Sequence, residues 1–63
     1  MKVIRFYGEY QLLHEPLQNM YRVTDGLNYS LWLYSEDKYE LMDLSNYDFE
    51  EKCKELIENS LLD

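Results

Sequence analysis

The sequence predicts an α+β fold: a small antiparallel sheet of three to four strands with one C-terminal helix packed on one face. Short β-branched and aromatic runs separated by turn residues predict the strands, and an amphipathic pattern near the end predicts the helix. The 63 residues are expected to form a single domain, 1–63. A domain this small buries only about 60 % of its unfolded surface, so a partner or second copy is expected to stabilise it.

The first predicted strand is residues 2–7, a β-branched and aromatic run that ends at Gly8. Residues 9–19 fit a strand, a helical turn or a loop. Pro16 interrupts any regular element there, so this segment is interpreted as a connection.

Three further strands are predicted in the middle of the chain. Residues 20–24 and 29–35 alternate in polarity, and Asp25-Gly26 supplies the positive-φ turn of a hairpin. A second turn at 35–38 leads to a strand at 39–43, which completes a meander.

The C-terminal helix has the strongest start signals. Ser45 fits an N-cap, Asp48 can complete a capping box, and Leu44 with Phe49 has the spacing of a hydrophobic staple. Apolar residues then recur at helical spacing and predict one stripe facing the sheet. These residues are Phe49, Cys53, Leu56, Ile57 and Leu61.

Charge is distributed unevenly along the chain. Residues 36–63 contain ten acidic and three basic side chains, whereas residues 1–35 contain three of each. The whole net charge of −7 therefore lies in the second half. Such asymmetry indicates the kind of partner rather than the fold, because carboxylates repel one another and attract basic surfaces.

The outer face of the predicted helix is strongly acidic. Glu50 and Lys54 are expected to pair at i,i+4, but Glu51 and Glu55 form a like-charge pair at the same spacing. Glu58 and Asp63 oppose the helix dipole near the C-terminal end. Stability alone would not select this face.

Few residues suit catalysis or metal binding. One histidine, His14, and one cysteine, Cys53, are too few for a zinc-type ligand set. We expect His14 to be an ordinary loop residue and Cys53 to be buried on the apolar stripe. A chain of this length has little room for a cleft with paired carboxylates, and Gly8 and Gly26 are isolated. Neither an enzyme nor a cofactor nor a metal site is expected.

The sequence also indicates where the protein is found and which ligands it does not bind directly. The start lacks the long apolar core of a signal peptide, and no apolar run approaches the roughly 18 residues that span a bilayer. A cytoplasmic protein is expected. Direct nucleic-acid binding is disfavoured because the phosphate backbone would repel this chain.

The acidic side chains form the first candidate binding surface. Carboxylates spread along a ridge can occupy the basic cleft in which another protein binds DNA phosphates. The alternative is a solvated face that keeps a small protein soluble. The candidate residues are Glu40, Asp43, Glu50, Glu51, Glu55 and Glu58.

An aromatic set forms the second candidate surface. If Leu31 and Leu33 point at the helix, then Ser30, Trp32 and Tyr34 point away from it. Trp32 and Tyr34 are residue types enriched in interface anchors, which favours a homodimer through this face. The alternative is that the first strand or residues 9–19 cover this face.

The small size, the acidity and the surplus tyrosines together resemble the small phage proteins that inhibit DNA-handling proteins by mimicking DNA. Asp25-Gly26-Leu27-Asn28-Tyr29, followed by an acidic C-terminal helix, resembles phage inhibitors of uracil-DNA glycosylase. The resemblance implies a non-enzymatic inhibitor of a basic nucleic-acid-binding protein, with an apolar pocket that Trp32 or Tyr34 would suit. The alternative function is an antitoxin-like or regulatory module that binds a partner through the apolar, aromatic sheet face.

Overall fold

The computed structural model describes residues 1–62, which form one sheet and two helices; Asp63, predicted to oppose the helix dipole, lies outside the described residues. The α+β class and the antiparallel sheet are confirmed, whereas the prediction of a single helix is wrong. The elements in chain order are β1 (Lys2–Tyr7), β2 (Tyr10–Glu15), β3 (Met20–Thr24), α1 (Ser35–Asp43) and α2 (Asn46–Leu61).

The sheet has the order β1-β2-β3, with both neighbouring pairs antiparallel. Gly8, at φ +59°, occupies the two-residue turn that joins β1 to β2, a conformation that glycine adopts without strain. The strand β2 lies within the segment interpreted as a connection. Pro16 does not interrupt this strand, because it comes directly after the last residue of β2.

The predicted turn at Asp25-Gly26 is present after β3. Asp25 Oδ1 accepts hydrogen bonds from the amides of Leu27 and Asn28 at 2.9 and 2.7 Å. Gly26 has φ +96°, which favours glycine. This turn brings the following residues back along the free edge of β3.

The prediction of a regular strand at 29–35 is wrong, because residues 29–34 form only two isolated bridges with β3, at Tyr29 and Leu33. Ser30 breaks the alternation between them: its amide donates to Val23 O at 2.9 Å, while its hydroxyl accepts from Val23 N at 3.0 Å. A side chain thus replaces a main-chain acceptor. Ser30 is buried and Leu31 is exposed, the reverse of the predicted orientations.

The prediction of a turn at 35–38 and a strand at 39–43 is also wrong, because both belong to helix α1. Asp37 starts this helix: its carboxylate accepts a hydrogen bond from the Tyr34 amide at 3.0 Å. Acidic residues in the first turn, Glu36 and Asp37, also interact favourably with the positive end of the helix dipole. Leu41 is the buried anchor of α1.

The predicted start of the C-terminal helix is confirmed. Ser45 is the N-cap of α2, and its hydroxyl accepts from the Asp48 amide at 3.2 Å. Three members of the predicted stripe, Phe49, Cys53 and Ile57, are buried. Leu56 is partly buried, and Leu61 is 62 % exposed at the end of the helix.

Both helices pack on the same face of the sheet. Leu41 of α1 and Phe49 of α2 share one core cluster with Leu12, Val23 and Leu33. Among residues 1–62, neither helix packs against the other face, which we call the open face. No helix in the described part of the chain is long and apolar enough to cross a membrane.

Candidate partner-binding surfaces

The predicted acidic residues of α2 form a continuous exposed stripe. Glu51, Glu55 and Glu58 are exposed at i, i+4 and i+7, on the side of the helix away from the buried stripe. Glu50, which is partly buried, lies beside them. The surface predicted from helical spacing is therefore present on α2.

Helix α1 carries a second acidic stripe with the same spacing. Glu36, Glu40 and Asp43 are all exposed at i, i+4 and i+7. Glu40 and Asp43 were predicted on a strand, where residues three apart point to opposite faces. The helix instead brings both of them to one side.

The ion pairs on α2 differ from the prediction. Lys54 pairs with Glu51 at 3.7 Å rather than with Glu50, and Lys52 pairs with Glu55 at 4.0 Å. Each member of the like-charge pair therefore has a lysine neighbour, which reduces the predicted repulsion. Within residues 1–62, the acidic residues of α1 form no ion pair.

The predicted aromatic anchors do not share one surface. Tyr34 is 66 % exposed and is the N-cap residue of α1, on the helical side. Trp32 is 38 % exposed, and its ring contacts Arg22. Arg22 alternates along β3 with core residues Tyr21 and Val23, so it points to the open face. Trp32 therefore lies across the sheet from the acidic stripes.

The open face contains residues that the sequence interpretation missed. The guanidinium carbon of Arg22 lies 4.0 Å from the ring centroid of Tyr29 and 4.7 Å from that of Trp32. Phe6, also on this face, is 71 % exposed. Alternation about Tyr21 and Val23 was the available signal that Arg22 would point this way.

A shallow cavity of about 260 Å³ lies between α2 and the turn after β3. Burial raises the pKa of Tyr10, with Glu9 adding to the shift, while the amides of Asn28 and Leu27 lower the pKa of Asp25. Both shifts move the pKa values further from neutral pH, so Tyr10 and Asp25 are poorly suited to general acid–base chemistry. The cavity is lined by Tyr10, Asp25, Asn28, Lys54, Ile57, Glu58 and Leu61.

The structure places His14 on a strand and Cys53 in the core. His14 belongs to β2 rather than to a loop, and its ring stacks on Tyr21 with centroids 4.6 Å apart. Its Nε2 lies 3.1 Å from Asn19 Oδ1. Cys53 is buried as predicted, and burial raises its pKa to about 12, which keeps the thiol protonated.

Across residues 1–62, no group of three or more His, Cys, Asp or Glu side chains is placed to hold a metal ion. Comparison with protein-family models, curated proteins and solved structures found no match to this chain. The resemblance to DNA-mimicking phage inhibitors therefore stays a prediction. The candidate surfaces are defined by their geometry alone.

Proposed function

We propose that the chain is a non-enzymatic inhibitor that binds the basic nucleic-acid-binding site of a host protein, with carboxylates in the positions of DNA phosphates. The observation that carries this proposal is the pair of exposed acidic stripes on α1 and α2. Together they provide six carboxylates on the helical layer of a molecule of net charge −7. The stripes are Glu36, Glu40 and Asp43 on α1, and Glu51, Glu55 and Glu58 on α2.

The spacing of the stripes supports this role. Neighbouring carboxylates along a stripe are separated by roughly 5–6 Å at Cβ, and each stripe extends about 10 Å along its helix. A DNA strand presents one charge per roughly 3.4 Å of axis, so the density of charge is of the same order. The lysine pairs on α2 are solvent-exposed and weak, and a partner's arginine can displace them.

The experiment that tests this function is capture followed by competition. The chain is immobilised, bound proteins from a bacterial lysate are identified, and the purified partner is challenged with duplex DNA. A basic nucleic-acid-binding partner displaced by DNA supports the proposal. A partner that binds DNA and this chain simultaneously contradicts it.

The second candidate function is a protein-interaction module that uses the open face. The observation favouring it is the exposure of Phe6 on the same face of the sheet as Arg22 and Trp32, where the helices do not reach. Such a face would also suit a homodimer. Phe6→Asp would abolish binding of this kind and leave the acidic helices unchanged. For either function we propose a cytoplasmic setting.

A further inference from the structure

The open face presents one cation whose orientation is fixed by aromatic rings. The Arg22 guanidinium packs against both Tyr29 and Trp32, at 4.0 and 4.7 Å from their centroids. Cation–π contacts on two rings restrict the rotamers of a long side chain before any ligand arrives. Arg22 is therefore preorganised.

This guanidinium has donors to spare. Within residues 1–62 it takes part in no ion pair, and its buried Nε has no hydrogen-bond partner. Glu15 lies diagonally across the β2–β3 ladder on the same face, but its carboxylate bonds to the Leu17 amide at 3.0 Å and forms no ion pair with Arg22. Arginine carries five N–H donors that match an oxyanion in pairs. Within residues 1–62, no carboxylate pairs with this guanidinium.

Several neighbours of Arg22 on the open face are apolar, next to the polar Gln11, Glu15 and Thr24. Leu13 lies opposite it on β2, and Val3 lies opposite Leu13 on β1. The exposed Phe6 and the partly buried Met20 extend this surface. An ion pair that is partly shielded from water by such side chains is stronger than one in bulk solvent.

We infer that Arg22, Tyr29 and Trp32 form a recognition site for a carboxylate beside an apolar side chain in a segment of a partner protein. Charge complementarity defines the occupant: the Arg22 guanidinium, which forms no ion pair within residues 1–62, favours an anion, and the exposed Phe6 favours an apolar neighbour. A nucleic acid is disfavoured because the chain carries −7. This inference rests on the second candidate function and is independent of the acidic stripes.

The single tryptophan, Trp32, supplies the readout. Its emission is followed while the chain is titrated with N-acetyl-leucine or with the uncharged N-acetyl-leucine amide. We expect a saturable change with the carboxylate, and at least tenfold weaker binding of the amide. Arg22→Gln should remove the response, whereas Lys38→Gln, which removes one positive charge on the helical side, should preserve it.

Equal responses to acid and amide, or an unchanged response in Arg22→Gln, would overturn the inference. If Arg22→Gln fails to fold, Arg22→Lys replaces it; because lysine keeps the charge without the planar fork, this variant should bind the acid several-fold more weakly. If light scattering shows a dimer and the dimer does not respond to the titration, the inference is also overturned, because a second copy then covers this face. If Trp32 emission does not change in the titration but Phe6→Asp still abolishes partner binding, only the carboxylate site is rejected. If the emission changes but Phe6→Asp leaves partner binding intact, only the second candidate function is rejected.

Discussion

The guanidinium carbon of Arg5 lies 4.4 Å from the ring centroid of Phe49, which connects the edge strand β1 to the first turn of α2. The same guanidinium donates to the carbonyl oxygens of Leu41 and Leu44, at the end of α1. Those carbonyls have no partner within the helix and lie at its negative pole. One cation thus joins three elements.

Arg5→Gln is expected to destabilise the fold by about 2–3 kcal/mol, because it removes the cation–π contact and leaves helix-end carbonyls unpaired. Urea unfolding measures this loss. Lys2→Gln, on the exposed start of β1, is the matched control and should change the unfolding free energy by less than about 0.5 kcal/mol. Equal effects of the two substitutions would show that Arg5 acts only through net charge.

Ser45→Ala should cost about 1 kcal/mol, because the Ser45 hydroxyl caps the Asp48 amide at the start of α2. Ser35→Ala provides the control, since Ser35 is an exposed residue within the first turn of α1 and not its N-cap. Thermal unfolding of both variants tests this difference. A loss at position 35 that matches the loss at position 45 would argue against a specific cap.

Cys53 should react very slowly with alkylating reagents while the protein is folded. Raising its pKa from 9.0 to about 12 lowers the thiolate fraction at pH 8 about a thousandfold, and the buried position blocks access as well. Iodoacetamide labelling followed by mass spectrometry, with and without urea, measures the effect. Fast labelling of the folded chain would contradict the burial of this thiol.

Asp25 should make the turn after β3 sensitive to acid. The amides of Asn28 and Leu27 lower its pKa below the ordinary 3.8, so its contribution to stability is present above that value and is lost as pH falls through the lowered pKa. Asp25→Asn keeps the acceptor oxygen and removes the titration. The difference in unfolding free energy between the two proteins should shrink between pH 5 and pH 2. A difference that stays constant over this range would exclude the linkage.

Local signals predicted part of this fold. The β-branched run of β1, the alternation of β3 and the cap at Ser45 each have a short-range physical cause, and all three are confirmed. Helix α1 was missed because its nine residues include only three apolar ones, Tyr39, Leu41 and Met42, too few to show a helical period. The interaction that starts it, between Asp37 and the Tyr34 amide, is not visible in hydrophobic periodicity. The predicted orientation of Ser30 was wrong because its hydroxyl, rather than a main-chain carbonyl, accepts the hydrogen bond from the Val23 amide.

The candidate surfaces were predictable to a similar degree. Helical spacing alone places Glu51, Glu55 and Glu58 on one side of the helix, and in the structure all three are exposed along α2. The contact of Arg22 with Trp32 depends on how residues 29–34 return along β3, which follows from the irregular pairing at Ser30. A contact that depends on such irregular pairing leaves no periodic pattern in the sequence from which it could be predicted.

The central claim, that carboxylates on the helices stand in for phosphates, is tested most directly by the affinity for the captured partner at increasing salt concentrations. The wild-type chain is compared with the variant Glu51→Gln, Glu55→Gln, Glu58→Gln. A control with the same change in charge carries Glu9→Gln, Glu15→Gln and Asp25→Asn.

We predict that salt weakens the wild-type complex through a slower on-rate, that the α2 variant binds more weakly and depends less on salt because only the α1 stripe remains, and that the control behaves like the wild-type chain. The α2 variant should remain folded, because the exposed ion pairs on α2 contribute little to stability. An affinity that is insensitive to salt and equal in the wild-type chain and the α2 variant would contradict the DNA-mimic account.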